Sequence, residues 1–264
     1  MPAELALWLY CIARSDDPLP EGLPGVDARH AAERVEHGGL AALVSRVSMD
    51  EFGEEPLRDN LNDLAWLERV ARSHEAVLER ALEQATIVPV RLCTIFADAD
   101  GVVRLLDQER ETLEDALGAL AGRGEWSVKL LVDRTALEAA AGVDLPEPDA
   151  EGSGAAYMLR RRHERQVREL ADGIARDLAH DVHTRICDEA DDAVVNAPQN
   201  RELSGHAGEM LLNGAYLVET AAVERLRDVV AELEERHRAL GARLELSGPF
   251  PPYNFVQRQR AAPA

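Results

Sequence analysis

In the first half of the chain, the apolar positions switch between the period of β-strands and that of α-helices. Apolar runs predict strands at 4–13 and 40–47. A weaker pattern at 26–37 predicts a short helix that ends at a glycine pair. Apolar residues spaced by three and four predict two longer helices, at 60–85 and 105–120.

Two details of this half can be predicted more closely. The helix at 60–85 is expected to be capped by Asp59 or Asn60, and its buried face is expected to carry Leu64, Leu67, Ala71, His74, Leu78, Ala81 and Ala85. The apolar run at 86–96 contains Pro89, which cannot donate a hydrogen bond within a sheet. We therefore predict that this run lies at a sheet edge or contains a bulge.

After Gly124 the pattern starts again with a second set of elements. Their order is strand, helix, strand, strand, helix, strand, predicted at 126–132, 155–185, 193–197, 209–218, 223–240 and from 243 onward. An acidic loop is expected from Gly142 to Gly154, and a polar turn from Asn200 to Gly208. This order is that of a ferredoxin-like split β-α-β domain. We predict an α+β protein with an N-terminal domain at 1–124 and a ferredoxin-like domain at 125–264.

The long helix at 155–185 carries a regular apolar stripe. The stripe is expected to face the core and consists of Leu159, Val167, Leu170, Ile174, Leu178 and Val182.

The end of the second half combines a strand pattern with prolines. Leu244 and Leu246 alternate with charged residues, and three prolines then follow within four residues among aromatic rings. Because proline has no N–H to donate, we predict that the chain leaves the sheet near Gly248. It is expected to continue as an extended aromatic-proline tail.

Composition and charge restrict the classes of partner. The chain has 264 residues, 46% of them hydrophobic, and a formal net charge of −20. Such a length can bury a substantial core. The negative charge argues against binding of nucleic acid and against docking on an anionic membrane. The three cysteines are far apart, and no signal peptide or membrane span is indicated, so we expect a cytoplasmic protein.

Several histidines are candidates for metal binding or catalysis. His180 and His183 lie one helical turn apart among Asp177 and Asp181, which is the best metal-binding candidate. They are expected at a solvent-exposed helix end, however. We therefore interpret them as ordinary surface residues and not as metal ligands. His74 and His163 are expected on or near apolar helix faces, where a structural histidine is more common than a catalytic one.

The thiol of Cys93 is a further candidate. It lies close to Arg91, which would lower its pKa, but it has no histidine nearby in the sequence. No set of residues combines a nucleophile, a base and oxyanion donors. We therefore predict no catalytic residue, no cofactor, no metal and no enzymatic activity.

The tail, LSGPFPPYNFV at 246–256, resembles the closing signature of the gas vesicle protein F/L family, which has the form G-P-W-P-P-Y-S/N-F. Other stretches agree with this family in the same order along the chain: LALWLYCIA at 5–13, GLAALVSRV at 39–47, HEAVLERAL at 74–82, VPVRLCTIF at 88–96, EWSVKLLVD at 125–133, SGAAYMLRRR at 153–162 and LLNGAYLV at 211–218. Two positions differ from the family pattern. Phe250 replaces a tryptophan, and Leu92-Cys93 replaces Phe-Gly, a change expected to stiffen that strand or fill a gap.

The resemblance implies a minor structural or assembly protein of gas vesicles, with two α+β domains and no catalytic residues. It also implies two kinds of partner, the small hydrophobic shell protein and other accessory gas vesicle proteins, and localisation to the gas vesicle in the cytoplasm. An acidic, soluble partner would keep apolar shell subunits from aggregating before they are added to the wall.

The tail aromatics Phe250, Tyr253 and Phe255 are our candidate partner-binding residues, because rings beside rigid prolines lose little entropy on binding. The alternative is that these rings pack over the chain's own sheet. A second function class also remains open, a small-ligand sensor or small enzyme unrelated to buoyancy. It would require a pocket with convergent polar groups near His74, Arg91 or His163.

Overall fold

A computed structural model describes residues 4–143, 154–197 and 208–256 of the chain. The contacts divide the chain into two compact units. The first comprises Met1–Gly124 together with Phe250–Ala264, and the second comprises Glu125–Pro249. The tail from Phe250 to Val256, which we assigned to the second domain from the sequence, thus belongs to the first unit. The loops expected at 142–154 and 200–208 lie for the most part outside the described residues.

The first unit contains five strands and five helices among its described residues. The strands are β1 (Leu5–Arg14), β2 (Ala32–His37), β3 (Leu40–Ser48), β4 (Val88–Pro89) and β5 (Ile95–Phe96). The helices are α1 (Met49–Phe52), α2 (Glu54–Asn60), α3 (Leu64–Leu82), α4 (Ala99–Gln108) and α5 (Arg110–Leu120).

The sheet of the first unit has the order β2-β3-β1-β4, and β5 also pairs with β1. All of these pairs are antiparallel. Every residue of β1 from Ala6 to Ala13 is buried, which is typical of a central strand covered on both faces. The apolar run at 86–96 forms only the two short strands β4 and β5, with a turn between them, and Pro89 therefore lies at a sheet edge.

Two predictions for this unit are wrong. The stretch at 26–37 does not form a helix, because its second half pairs with β3 as the strand β2. The expected single helix at 105–120 is instead the pair α4 and α5, separated at Glu109, where the backbone leaves the helical region. At 26–37, pairing in the tertiary structure overrides a weak local pattern.

Helix α3 buries a face that only partly matches the predicted one, since His74, Leu78 and Ala81 are buried as predicted but Leu64 is not. Its cap is Asp63, whose carboxylate accepts the N–H groups of Ala65 and Trp66. The buried residues are Trp66, Val70, His74, Val77, Leu78 and Ala81. Leu64, predicted on the core face, is 80% exposed. Trp66 determines which stripe is buried, because its indole removes more apolar area from water than Leu64 would.

The second unit contains the strands β6 (Arg123–Val132), β7 (Asp192–Val195), β8 (Glu209–Glu219) and β9 (Ala242–Phe250). Its helices in the described residues are α6 (Arg134–Gly142), α7 (Gly154–Cys187) and α8 (Val223–His237), with short 3₁₀ turns flanking α8. The sheet has the order β7-β8-β6-β9, and β7 pairs antiparallel with β8. The chain is therefore a mixed α/β protein built on two sheets. Helix α6 was not predicted from the sequence.

Helix α7 is about as long as predicted, but among its described side chains the packing in the core begins only at Val167. Leu178 and Val182 are buried against the sheet. Leu159 and Leu170, predicted on the same core face, are 48% and 47% exposed. The apolar stripe therefore continues along the helix beyond the core that it covers.

Strand β9 includes Pro249 and ends at Phe250, so the chain leaves the sheet within two residues of Gly248, close to the predicted position, and Pro251 and Pro252 lie beyond the strand. Strand β9 is the outermost strand, beside β6, and a proline is tolerated at such an edge. Gly248 has a φ of +139°, and a Cβ atom there would lie 2.9 Å from the carbonyl oxygen of Glu125. Only glycine fits this close approach.

No helix in the described ranges is both long enough and apolar enough to cross a membrane.

Candidate functional site

The tail lies over the first unit and ends in a helical turn at 253–256. The N–H groups of Tyr253 and Val256 donate to the carbonyl oxygens of Pro251 and Pro252, respectively. These two prolines are buried and need no hydrogen-bond acceptor of their own.

The structure separates the three candidate aromatic residues. Phe255 is almost fully buried, with 3% of its surface exposed. Tyr253 is half-buried and hydrogen-bonded within the first unit. Phe250 is 42% exposed. The three rings therefore do not form one exposed cluster, and Phe250 has the most surface available to a partner.

A chain of hydrogen bonds connects the tail to the core through His74. The indole Nε1–H of Trp8 donates to His74 Nδ1 at 3.0 Å. His74 Nε2 lies 3.2 Å from the hydroxyl of Tyr253, which donates to Glu75 Oε1 at 3.3 Å. The ring of Tyr10 stacks on His74 with 5.3 Å between centroids.

These contacts determine the protonation of His74. An indole nitrogen can only donate, so Nδ1 must be the unprotonated acceptor, and the hydrogen of the neutral ring is on Nε2. Burial lowers the pKa of His74 to about 4, because the charged imidazolium would lose its hydration. His74 is therefore a neutral structural residue at physiological pH. Burial likewise raises the pKa of Tyr253 and of Glu75 above their ordinary values.

The first unit also contains an open cavity of about 540 Å³, which we call the edge cavity. It lies where β4 and β5 form the outer edge of the sheet. Apolar side chains from the sheet edge, from α4 and α5 and from the tail line it, represented by Val88, Leu105, Leu113 and Val256. Its volume lies within the range of small-molecule pockets, roughly 300–1,000 Å³.

Three polar side chains contribute to the edge cavity: Arg91, Thr94 and Tyr253. The Thr94 hydroxyl donates to the Arg91 carbonyl oxygen at 2.7 Å, and the Tyr253 hydroxyl bonds as described above. Arg91 is exposed, and no described residue forms an ion pair or hydrogen bond with its guanidinium. The cavity is therefore mainly apolar and has one uncommitted cationic group.

The other histidine candidates are not brought together. His183 Nδ1 lies 2.9 Å from the hydroxyl of Tyr216, and burial lowers the pKa of His183. Asp181 accepts a hydrogen bond from His237 at 2.9 Å. His163 is half-buried in the first half of α7. Among the described residues, no group of three or more His, Cys, Asp or Glu side chains is arranged to hold a metal ion.

Cys93 lies in the turn between β4 and β5, with a φ of +64°. That is the left-handed region, which glycine adopts with least strain. Burial raises the pKa of its thiol, so the proximity of Arg91 in the sequence does not produce a reactive thiolate. The Leu92-Cys93 pair is thus part of a turn, so the expectation that it stiffens a strand is wrong, and the alternative that it fills a gap left by glycine stays a prediction.

Sequence reasoning singled out Arg91 and His74 but missed their surroundings. The apolar walls at Leu105 and Leu113 come from helices that are distant in sequence from β4. Arg91 within an apolar run was the one signal in the sequence that pointed to this place.

The comparisons with known proteins agree with one another. A family model described as "Gas vesicle synthesis protein GvpL/GvpF" matches residues 6–257. Gas vesicle protein L of Streptomyces sp. (strain CB03234) is 36% identical, over 97% of this chain and 94% of that protein. Gas vesicle protein F of the same strain is 29% identical, over 96% of this chain and 100% of that protein.

The fold is similar to those of two solved structures. The crystal structure of the gas vesicle protein GvpF from Anabaena sp. PCC7120 has a TM-score of 0.71 at 21% identity, and covers 96% of each chain. That of GvpF from Microcystis aeruginosa has a TM-score of 0.66 at 20% identity, over 96% of this chain and 99% of that chain. The family match extends through both compact units and into the tail, so the chain belongs to the gas vesicle synthesis protein GvpL/GvpF family.

Proposed function

We propose that this chain is an assembly protein of gas vesicles that binds the hydrophobic shell protein and other accessory proteins while the vesicle forms in the cytoplasm. The observation that carries the proposal is the family match over residues 6–257, which includes both units. The net charge of −20 supports it, because an acidic partner keeps an apolar subunit dispersed. In this role the protein acts by binding, without catalysing a reaction.

We also propose that the second unit is a ferredoxin-like domain. Its strand order, β7-β8-β6-β9, supports this assignment, as does the succession of strands and helices along the chain. Under this proposal, residues 1–124 and 125–249 are separate domains, and the tail belongs with the first.

The tail supports a division of roles among its aromatic residues. Phe255 and Tyr253 anchor the tail through burial and hydrogen bonds. Phe250 presents its exposed ring to a partner. The hypothesis that all three rings contact a partner is thereby narrowed to Phe250, whereas the burial of Phe255 and the hydrogen bonds of Tyr253 fit the alternative that these two rings pack within the chain's own first unit.

The test is co-purification of the shell protein with the tagged wild-type chain and with Phe250→Ala. Leu61→Ala is the matched control, because Leu61 is an apolar residue of the same unit with 43% exposure. We expect the wild type and the control to capture the shell protein and Phe250→Ala to capture less. The double variant Phe250→Ala, Tyr253→Ala is expected to lose still more. If the wild type captures no shell protein, the proposed function is wrong, and if the folded double variant binds normally, the tail is structural.

A further inference from the structure

We propose that the edge cavity is a docking site for a partner protein segment that carries an apolar side chain next to a carboxylate. The apolar side chain enters the cavity, and the carboxylate pairs with Arg91. This inference rests on the proposed function, because it names the place where an assembly partner binds.

The apolar part of the proposal follows from the walls. Val88, Leu105, Leu113 and Val256 present hydrocarbon to a cavity of about 540 Å³. Filling such a cavity with an apolar side chain removes both surfaces from water, which is the main favourable contribution in most associations. A polar group placed among these apolar walls, away from Arg91, would lose its hydration without compensation.

The carboxylate in the proposed segment is inferred from Arg91, the polar side chain of the cavity that has no partner among the described residues. Thr94 and Tyr253 already use their hydroxyls in hydrogen bonds within the protein. The guanidinium of Arg91 has no ion-pair or hydrogen-bond partner among the described residues. A guanidinium offers a planar fork of N–H donors that matches a carboxylate in shape and charge.

The net charge and the sheet edge favour a protein segment as the occupant. A chain with a charge of −20 repels a polyanion such as nucleic acid but accepts a single carboxylate beside Arg91. The cavity lies beside the outer strands β4 and β5. An extended segment that approaches this edge can insert one side chain and leave its neighbour at the rim, because successive side chains point to opposite faces.

The first experiment measures capture of the shell protein by cavity variants of the full chain. Arg91→Gln is expected to weaken capture about tenfold, as expected for the loss of one charge-assisted pair, and Arg91→Lys is expected to retain part of the binding. Leu105→Trp, which fills the cavity with an apolar ring, is expected to block it. Arg104→Gln, at an exposed arginine of α4 outside the cavity lining, is the matched control and should bind like the wild type.

The second experiment tests the ligand chemistry directly. The ¹H–¹⁵N NMR spectrum of the full chain is titrated with the blocked pentapeptide Gly-Leu-Glu-Leu-Gly, with its Gly-Leu-Gln-Leu-Gly counterpart and with decanoate. We expect the glutamate peptide to shift the amide signals of Val90, Arg91 and Leu105, and to do so at lower concentration than the glutamine peptide. Equal shifts from both peptides, no shift from either, or shifts from decanoate alone would overturn the proposal.

The two experiments separate this proposal from the proposed function. If the wild type and Arg91→Gln capture the shell protein equally, the edge cavity is not the docking site, but the assembly role stands. If the wild type captures none, the assembly role fails, and the peptide titration still decides whether the cavity binds a segment of this chemistry.

Discussion

The hydroxyl of Tyr253 lies 3.2 Å from Nε2 of His74, although 179 positions separate the two residues. The contact joins the tail to helix α3 and, through His74 Nδ1, to Trp8 in the central strand. The tail is thus hydrogen-bonded to the core of the first unit.

Tyr253→Phe should lower the free energy of unfolding by about 1–2 kcal/mol, because the hydroxyl bonds to His74 and Glu75 are lost while the ring remains. Urea unfolding followed by circular dichroism measures the change. Tyr157→Phe is the control, since the Tyr157 hydroxyl bonds, within the described ranges, to the exposed Arg161 alone. It should stay within about 0.5 kcal/mol of the wild type. Equal effects at the two sites would show that the tail does not depend on this hydrogen bond.

The low pKa of His74 should make stability depend on pH. In the folded state its pKa is about 4, against an ordinary value of 6.5. Between these values the unfolded chain binds a proton that the folded chain does not, so stability is complete above pH 6.5 and is lost as the pH falls toward 4. The contribution of His74 should fall by about 2 kcal/mol between pH 7 and pH 4.5.

The measurement for His74 is urea unfolding at both pH values for the wild type and for His74→Gln. Other titrating groups are common to both proteins, so the difference between their pH dependences isolates His74. The variant should lose about 2 kcal/mol less than the wild type on acidification. Identical losses would contradict the assignment of a buried neutral imidazole.

Gly248→Ala should lower the free energy of unfolding by at least about 2 kcal/mol. Its φ of +139° is unfavourable for alanine, and the new Cβ would lie 2.9 Å from the carbonyl oxygen of Glu125. Gly118→Ala in helix α5 is the matched control, because nothing lies within 4 Å of a Cβ there. It should raise stability by up to about 1 kcal/mol. A Gly248→Ala protein as stable as the wild type would show that β9 does not follow this path.

Cys93→Gly should be more stable than Cys93→Ala by about 1 kcal/mol. Both substitutions remove the sulfur, but only glycine also relieves the cost of a φ of +64°. Thermal unfolding of the two variants under reducing conditions measures the difference. If the alanine variant is equally stable, the turn between β4 and β5 does not hold Cys93 in the left-handed region.

Trp66→Ala should cost about 3–5 kcal/mol, because the indole is buried and its Nε1–H bonds to Glu51 at 2.8 Å. Leu64→Ala, two positions earlier on α3, should change stability by less than about 0.5 kcal/mol, since Leu64 is 80% exposed. Denaturant unfolding of both variants tests which face of α3 is buried. A larger loss of stability for Leu64→Ala than for Trp66→Ala would instead support the buried face that we predicted from the sequence.

The sequence by itself determined those elements whose patterns are long and strong. The central strand β1, the strand β3 and the long helices α3 and α7 follow from runs of apolar residues or from helical spacing, which act locally. The family resemblance also came from the sequence, through stretches spread along the chain.

Where the local pattern was weak or ambiguous, only the tertiary structure decided which element formed and which face was buried. Residues 32–37 became the strand β2 because β3 offers an edge to pair with. The stripe of α3 turned toward Trp66 because larger side chains gain more by burial. The tail joined the first unit, and Arg91 came to line an apolar cavity, through contacts between residues far apart in the chain. Such contacts leave no periodic pattern in the sequence, so they could not be predicted from it.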